Sequence, residues 1–75
     1  MIAVVGRAYI AGPTFGVWAC RGRRFVVRSI EPMVVNVLGK RFIHNMIEVA
    51  FMVRGRVVAD YLSMDEWGDV QGVPS

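Results

Sequence analysis

The sequence predicts an all-β domain: a small barrel or a twisted antiparallel meander of about six strands, with one short helical turn near the C-terminus. Runs rich in Val, Ile and aromatic residues alternate along the chain with breaks that contain Gly or Pro. A glycine followed directly by a basic residue recurs four times, at spacings of 16, 17 and 16 residues. That period is too short for helical solenoids and suits short strands with their turns.

The four glycine-basic doublets are more than composition alone predicts. They are Gly6-Arg7, Gly22-Arg23, Gly39-Lys40 and Gly55-Arg56. We expect the two Arg-Gly-Arg segments, 21–23 and 54–56, to be equivalent hairpin tips, since apolar runs flank both and glycine accepts the positive φ of a tight turn. Gly6 and Gly39 are expected inside strands, as bulges or points of close approach.

Six apolar or alternating segments are the predicted strands. They are residues 2–11, 15–20, 23–30, 33–38, 41–53 and 56–62. Gly12-Pro13 and Glu31-Pro32 break the pattern, because proline cannot donate to a strand ladder. In the third segment, alternation predicts Phe25, Val27 and Ser29 on one face, and Arg24, Val26, Arg28 and Ile30 on the other.

Segment 41–53 is also compatible with a helix. The strand is favoured because a helix would place Val49 and Met52 on its polar side and no N-cap precedes it. Ser63 and Glu66 have the spacing of a capping box, which predicts a helical turn from Met64 to about Asp69, anchored by Trp67. Residues 70–75 are expected to fray. The whole chain, 1–75, is one domain of the SH3-like or OB-like size class.

The composition predicts a homo-oligomer, a dimer or larger. A chain of 75 residues has a marginal core, and 55% of this one is hydrophobic. Cys20 is the only cysteine and His44 the only histidine, so no disulfide or zinc-ligand spacing exists. No cofactor is expected. Charged residues interrupt every apolar run, residues 1–5 do not have the pattern of a secretory signal, and a free thiol suits the cytoplasm.

The charge distribution predicts an anionic partner. The formal net charge is +3, and residues 1–30 hold five arginines and no acid, whereas 60–75 hold four acids and no base. The candidate phosphate contacts are Arg21, Arg23, Arg24, Arg54 and Arg56, with Arg7, Arg28 and Lys40 in support. Tyr9 and Trp18 are the candidate stacking residues, whereas Phe25, Phe42, Phe51 and Trp67 are expected in the core.

The same features have plainer explanations. Arginines are common at turns simply because turns are exposed to solvent. Acids are common at the start of a helix because they stabilise it there. The cluster Asp65, Glu66 and Trp67 is also a candidate contact for a basic protein partner. Cys20 has no predictable base beside it, so catalysis is not expected.

Two functions therefore stay open. The first is a small non-enzymatic protein that binds DNA or RNA, of a size that suits regulators of phage or plasmid genomes. The alternative is an oligomeric protein-binding module, or an inhibitor of a larger protein machine, that uses its apolar surface and charge asymmetry.

Overall fold

The chain forms one open antiparallel sheet. The computed structural model describes residues 1–74. The strands are β1 (Ala8–Ala11), β2 (Arg24–Val37), β3 (Lys40–Val53), β4 (Arg56–Ser63) and β5 (Val70–Gly72), in the spatial order β4-β3-β2-β1-β5. Single 3₁₀ turns span Trp18–Cys20 and Met64–Glu66. The all-β prediction is confirmed. Within residues 1–74 the sheet has five strands and does not close, so the predictions of a barrel and of a sixth strand are not confirmed.

The regular glycine-basic spacing marks the starts of strands. The first four strands begin at residues 8, 24, 40 and 56, each 16 after the last. The glycine of each doublet lies at a turn one or two residues before one of these starts, and the four glycines have φ values of 87°, 75°, 74° and 77°. The prediction that Gly6 and Gly39 lie inside strands is therefore wrong.

The two equivalent hairpin tips are 38–39 and 54–55. Leu38 and Arg54 have φ values of 50° and 51°, and the glycine that follows each also has positive φ. Positive φ at both central residues is the geometry of a type I′ turn, whose twist matches that of the strands it joins. The Arg21-Gly22-Arg23 segment is not a hairpin tip, since it follows the first 3₁₀ turn and leads into β2.

Segment 15–20 covers the core instead of forming a strand. Phe15, Val17 and Cys20 are buried. Both neighbours of β2 are already in place, with β1 on one side and β3 on the other, so no edge is left there for this segment to pair with. The loop ends where the Gly22 N–H donates to the Ala11 carbonyl at 2.8 Å.

The N-terminal strand is shorter than predicted. Only 8–11 pair as β1, because the chain turns at Gly6, whose N–H donates to the Val27 carbonyl at 2.8 Å. The preceding residues fold over the sheet, and Ala3 is buried. At the other end, β5 pairs with β1 inside the tail that was expected to fray, and Ser75 lies outside the described residues.

A β-bulge and a proline inside β2 alter its predicted faces. The register with β3 shifts between Val27 and Ser29. The extra residue reverses the alternation, so Ile30 packs against the core with Phe25 and Val27 instead of lying on the charged face. The strand also continues through Pro32, because β1 ends before it and no strand lies on that side to require its N–H.

The core lies on one face of the sheet. Tyr9, Phe15 and Phe25 stack with ring centroids 5.6 and 4.9 Å apart, and the Trp67 ring meets all three edge-on. The capping box of Ser63 and Glu66 is confirmed and holds the turn that carries Trp67. The prediction of Phe42 in the core is wrong, since this ring is 46% exposed.

The other face of the sheet has no cover in residues 1–74. We call it the open face; its exposed apolar side chains are Ile10, Val26, Met52, Val57 and Tyr61. Beyond it, β2 and β3 continue as a two-stranded projection, residues 31–46, which we call the arm. The arm accounts for the long dimension of a molecule that measures 42 × 25 × 21 Å. No helix in residues 1–74 is long and apolar enough to cross a membrane.

Candidate nucleic-acid interface

The two Arg-Gly-Arg segments lie at the same end of the sheet. Phe25 pairs with Phe51, so the start of β2 lies beside the end of β3, and each segment flanks that point in sequence. The Arg23 Nη1 group donates to the Met52 carbonyl at 3.3 Å, which joins the first segment to the second hairpin. We call Arg21, Arg23, Arg54 and Arg56 together the arginine end.

Two of these guanidinium groups are held in place by the backbone. Arg21 donates through Nε to the Phe15 carbonyl at 2.8 Å, and Arg23 donates through Nε to the Ala19 carbonyl at 3.1 Å. Both carbonyls belong to the loop that covers the core. An anion that met these groups would therefore find much of their side-chain entropy already lost on folding.

Trp18 lines a cavity together with two of these arginines, Arg21 and Arg23. Its side chain is 77% exposed, because the 3₁₀ turn that carries it directs Val17 and Cys20 into the core. The cavity has a volume of about 710 Å³ and is open to solvent. Its lining residues are Ala11, Pro13, Trp18, Ala19, Arg21, Gly22, Arg23 and Val53. The indole, the arginines and an apolar floor thus share one concave surface.

None of the four arginines of the arginine end forms an ion pair within 4.0 Å in residues 1–74. Within residues 1–74 the ion pair is Arg28 with Glu48, at 4.0 Å, and it lies elsewhere on the sheet. The carboxylate of Asp69 accepts hydrogen bonds from the Thr14 hydroxyl at 2.6 Å and the Thr14 N–H at 2.7 Å. These two bonds, and more weakly Arg21, lower the pKa of Asp69.

Of the other predicted contacts, Arg24 adjoins this surface and three do not. Arg24 lines a groove of about 430 Å³ together with Arg23, and with Arg7 it also lines a separate cavity of about 520 Å³ beside the N-terminus. Lys40 lies at the far end of β2–β3, which at roughly 3.3 Å per residue is about 40 Å away. Arg28 lies next to Glu48, with which it forms the ion pair at 4.0 Å.

Of the aromatic predictions, the exposed position of Tyr9 is wrong and the core position of Trp67 is confirmed. Tyr9 is 1% exposed, and its hydroxyl donates to the Ile2 carbonyl at 3.0 Å, so it is a core residue and not a stacking platform. Trp67 packs in the aromatic core, and its Nε1 donates to the Met1 carbonyl at 2.7 Å. Its ring is therefore committed to the fold and does not provide the exposed anchor that a basic protein partner would need beside Asp65 and Glu66.

The apolar floor of the cavity was not predicted. Gly12-Pro13 reads in the sequence only as a turn, and Val53 only as the end of a strand. Their meeting depends on how the loop 12–23 crosses the sheet, which local sequence patterns do not encode. The exposure of Trp18 had one local signal: it lies between Val17 and Cys20, which a 3₁₀ turn buries together.

Cys20 lies under this surface as an unreactive thiol. Burial raises its pKa to about 11, against a smaller lowering by Arg23. The thiol should stay protonated at pH 8 and react with a disulfide reagent far more slowly in the folded protein than in urea. The contribution of this thiol to the free energy of unfolding is fully present below its ordinary pKa of 9.0 and is lost as the pH rises through about 11. With one cysteine, the reagent's absorbance reports this site alone; equal rates in both conditions would contradict the assignment.

No known protein family, curated protein or solved structure matches the chain, so no residue's role can be carried over from a relative.

Proposed function

We propose that this protein binds single-stranded nucleic acid at the arginine end, without catalysis. The observation that carries the proposal is the exposed indole of Trp18 on the wall of a cavity lined by Arg21 and Arg23. Aromatic rings stack on bases of any sequence while arginines follow the backbone phosphates, which is how many proteins hold single strands.

The positions of the four arginines support this. The two held by loop carbonyls lie beside Trp18, where a stacked nucleotide would place its phosphate. The two on the β3–β4 turn, Arg54 and Arg56, extend the positive surface along the same end of the sheet. A guanidinium can fork onto two phosphate oxygens, so four such groups at one end of the sheet suit a strand of several nucleotides.

A single strand fits better than a duplex. In a duplex the bases are already stacked on each other and are not free to meet an indole, so Trp18 would contribute little. Within residues 1–74 the arginine end itself has no protruding helix or ribbon that would enter a groove, since its turn at 54–55 has only two residues and the arm projects from the opposite end of the sheet.

The direct test is Trp18→Ala, with fluorescence anisotropy of a labelled oligothymidylate and of a mixed-sequence duplex. Stacking is worth about 1–3 kcal/mol per base, so affinity for the single strand should fall about 5- to 150-fold. Folding should be unaffected because the side chain is exposed. Trp18→Phe is the matched control and should keep most of the affinity, since it keeps an aromatic face.

Two results would refute the proposal. One is the absence of binding to either probe at about 50 mM salt, where phosphate contacts are strong. The other is unchanged single-strand affinity in Trp18→Ala, which would mean that the indole does not stack on a base and that any binding comes from the arginines.

A further inference from the structure

The arm carries many exposed apolar side chains. Met33, Val34, Val37, Phe42 and Ile43 are each at least 46% exposed, and they are distributed over both faces. At the tip, Leu38 is 97% exposed in a positive-φ position that suits Asn or Gly. An isolated hairpin is marginally stable at best, whereas three or more strands with an apolar face can be stable, so the arm needs further strands beside it.

The arm also has an open strand edge. β4 ends where Ser63 pairs with Met46, so residues 41–45 of β3 have no strand beside them in residues 1–74 on the side away from β2. Outward N–H and C=O groups of such an edge are ready to pair with another strand. The opposite edge of the arm is less suitable, because Pro32 interrupts its donors.

The charges along the arm are self-complementary. Lys40 and Arg41 lie at the tip, whereas the base carries Glu31 and lies against Asp65 across a small groove of about 160 Å³ that also includes His44. Two arms placed side by side in opposite directions would bring the basic tip of each to the acidic base of the other. This arrangement has two-fold symmetry, so the same contact between basic tip and acidic base occurs twice.

We propose that the arm pairs with the arm of a second copy of this chain, edge to edge and antiparallel, to form a dimer. Ser63 already lies beside Met46, so the tip of the second arm must stop short of that point; a two-fold axis normal to the sheet at Phe42 pairs residues 40–44 of one copy with residues 44–40 of the other. Lys40 of one copy then lies opposite His44 of the other, beside the groove that Asp65 lines. The arm of the second copy occupies the place in the sheet that β4 leaves open.

Paired charge-introducing variants test which surface is used. Ile43→Lys and Val57→Lys are matched, since the two side chains are 67% and 66% exposed on the arm and on the open face. Sedimentation equilibrium from roughly 1 µM to 1 mM should give a dimer for the natural chain and Val57→Lys. For Ile43→Lys the dissociation constant should rise at least about a hundredfold. Far-ultraviolet circular dichroism confirms that each variant is folded.

Charge exchange tests the direction of pairing. Lys40→Glu and Asp65→Lys should each weaken the dimer roughly tenfold, and the double variant should recover most of that loss, because it restores opposite charges across the contact. Phe42→Cys should oxidise to a disulfide-linked dimer, since directly opposite residues can have Cβ atoms about 4.5 Å apart, within the span of a disulfide, whereas Val57→Cys should not.

Three outcomes would overturn the proposal. They are a monomer throughout the concentration range, a dimer lost in Val57→Lys but kept in Ile43→Lys, and a double charge variant as weak as the sum of its single changes. Because the arm lies at the far end of the sheet from Trp18, none of them depends on whether nucleic acid binds.

Discussion

Phe25→Ala is expected to cost most of the protein's stability. Its ring is 1% exposed and lies at the centre of the aromatic core, with Phe15 at 4.9 Å, Tyr9 at 5.6 Å and Trp67 at 5.9 Å between ring centroids. Removing a buried phenylalanine costs about 3–5 kcal/mol, because the transfer free energy is lost and a cavity remains. A chain of this length has a total of roughly 4–11 kcal/mol. Urea titration should find the variant largely unfolded without denaturant or close to it.

Phe42→Ala removes the same atoms from the arm and is the matched control. That ring is 46% exposed, so the free energy of unfolding should fall by less than about 1 kcal/mol when measured where the protein is monomeric. Equal losses in the two variants would mean that the arm belongs to the cooperative core, and the division of the molecule into a packed body and a projecting arm would be wrong.

The parts of the fold that local sequence determines were predictable. Strands β3 and β4 follow directly from alternating apolar residues on either side of Arg54-Gly55, which is a good type I′ turn because glycine takes the second positive φ. The capping box likewise needs only Ser63 and Glu66 at the right spacing. In each case all of the residues that decide the structure lie within a few positions of each other.

The parts that depend on distant neighbours were not predictable. Segments 2–5 and 15–20 are as apolar as any strand, yet they cover the core, because a strand also needs a free edge beside it. Ile30 was assigned to the wrong face because one extra residue at the β-bulge reverses the alternation, and the bulge reflects how β2 fits β3.

The candidate site shows the same division. Arg21, Arg23 and Trp18 could be selected from residue type and spacing, but their shared cavity depends on the path of the loop 12–23. Tyr9 could not be told from an exposed ring by its position next to Arg7, since its burial comes from residues 1–5 and Trp67 folding over it. The arm was missed because alternation describes a strand's own residues and not how far its neighbours extend.

The positions of the arm and of the arginine end follow from where each strand ends. β1 and β4 stop short of the arm and leave its edges open, whereas at the opposite end the strands finish together and bring the two Arg-Gly-Arg segments side by side. The proposed dimer contact and the proposed anion-binding surface thus lie at opposite ends of the β2–β3 hairpin. A dimer formed through the arms would place its two arginine ends far apart, facing outward, so that each binds its own strand.

Neutralising two arginines on the β3–β4 turn should change the salt dependence of nucleic-acid binding in a defined way. For single strands, log K changes with log salt by about 0.7 per phosphate neutralised, so Arg54→Asn with Arg56→Gln should make the slope shallower by about 1.4. The turn should still form, because Asn accepts the positive φ of 51° that Arg54 adopts. The control is Arg7→Gln with Arg28→Gln, an equal loss of charge outside the arginine end and outside the arm. If the two pairs flatten the slope equally in anisotropy titrations from about 50 to 200 mM salt, binding follows net charge and the arginine end has no special role. A change confined to the first pair would localise the phosphates to this end of the sheet, beside Trp18.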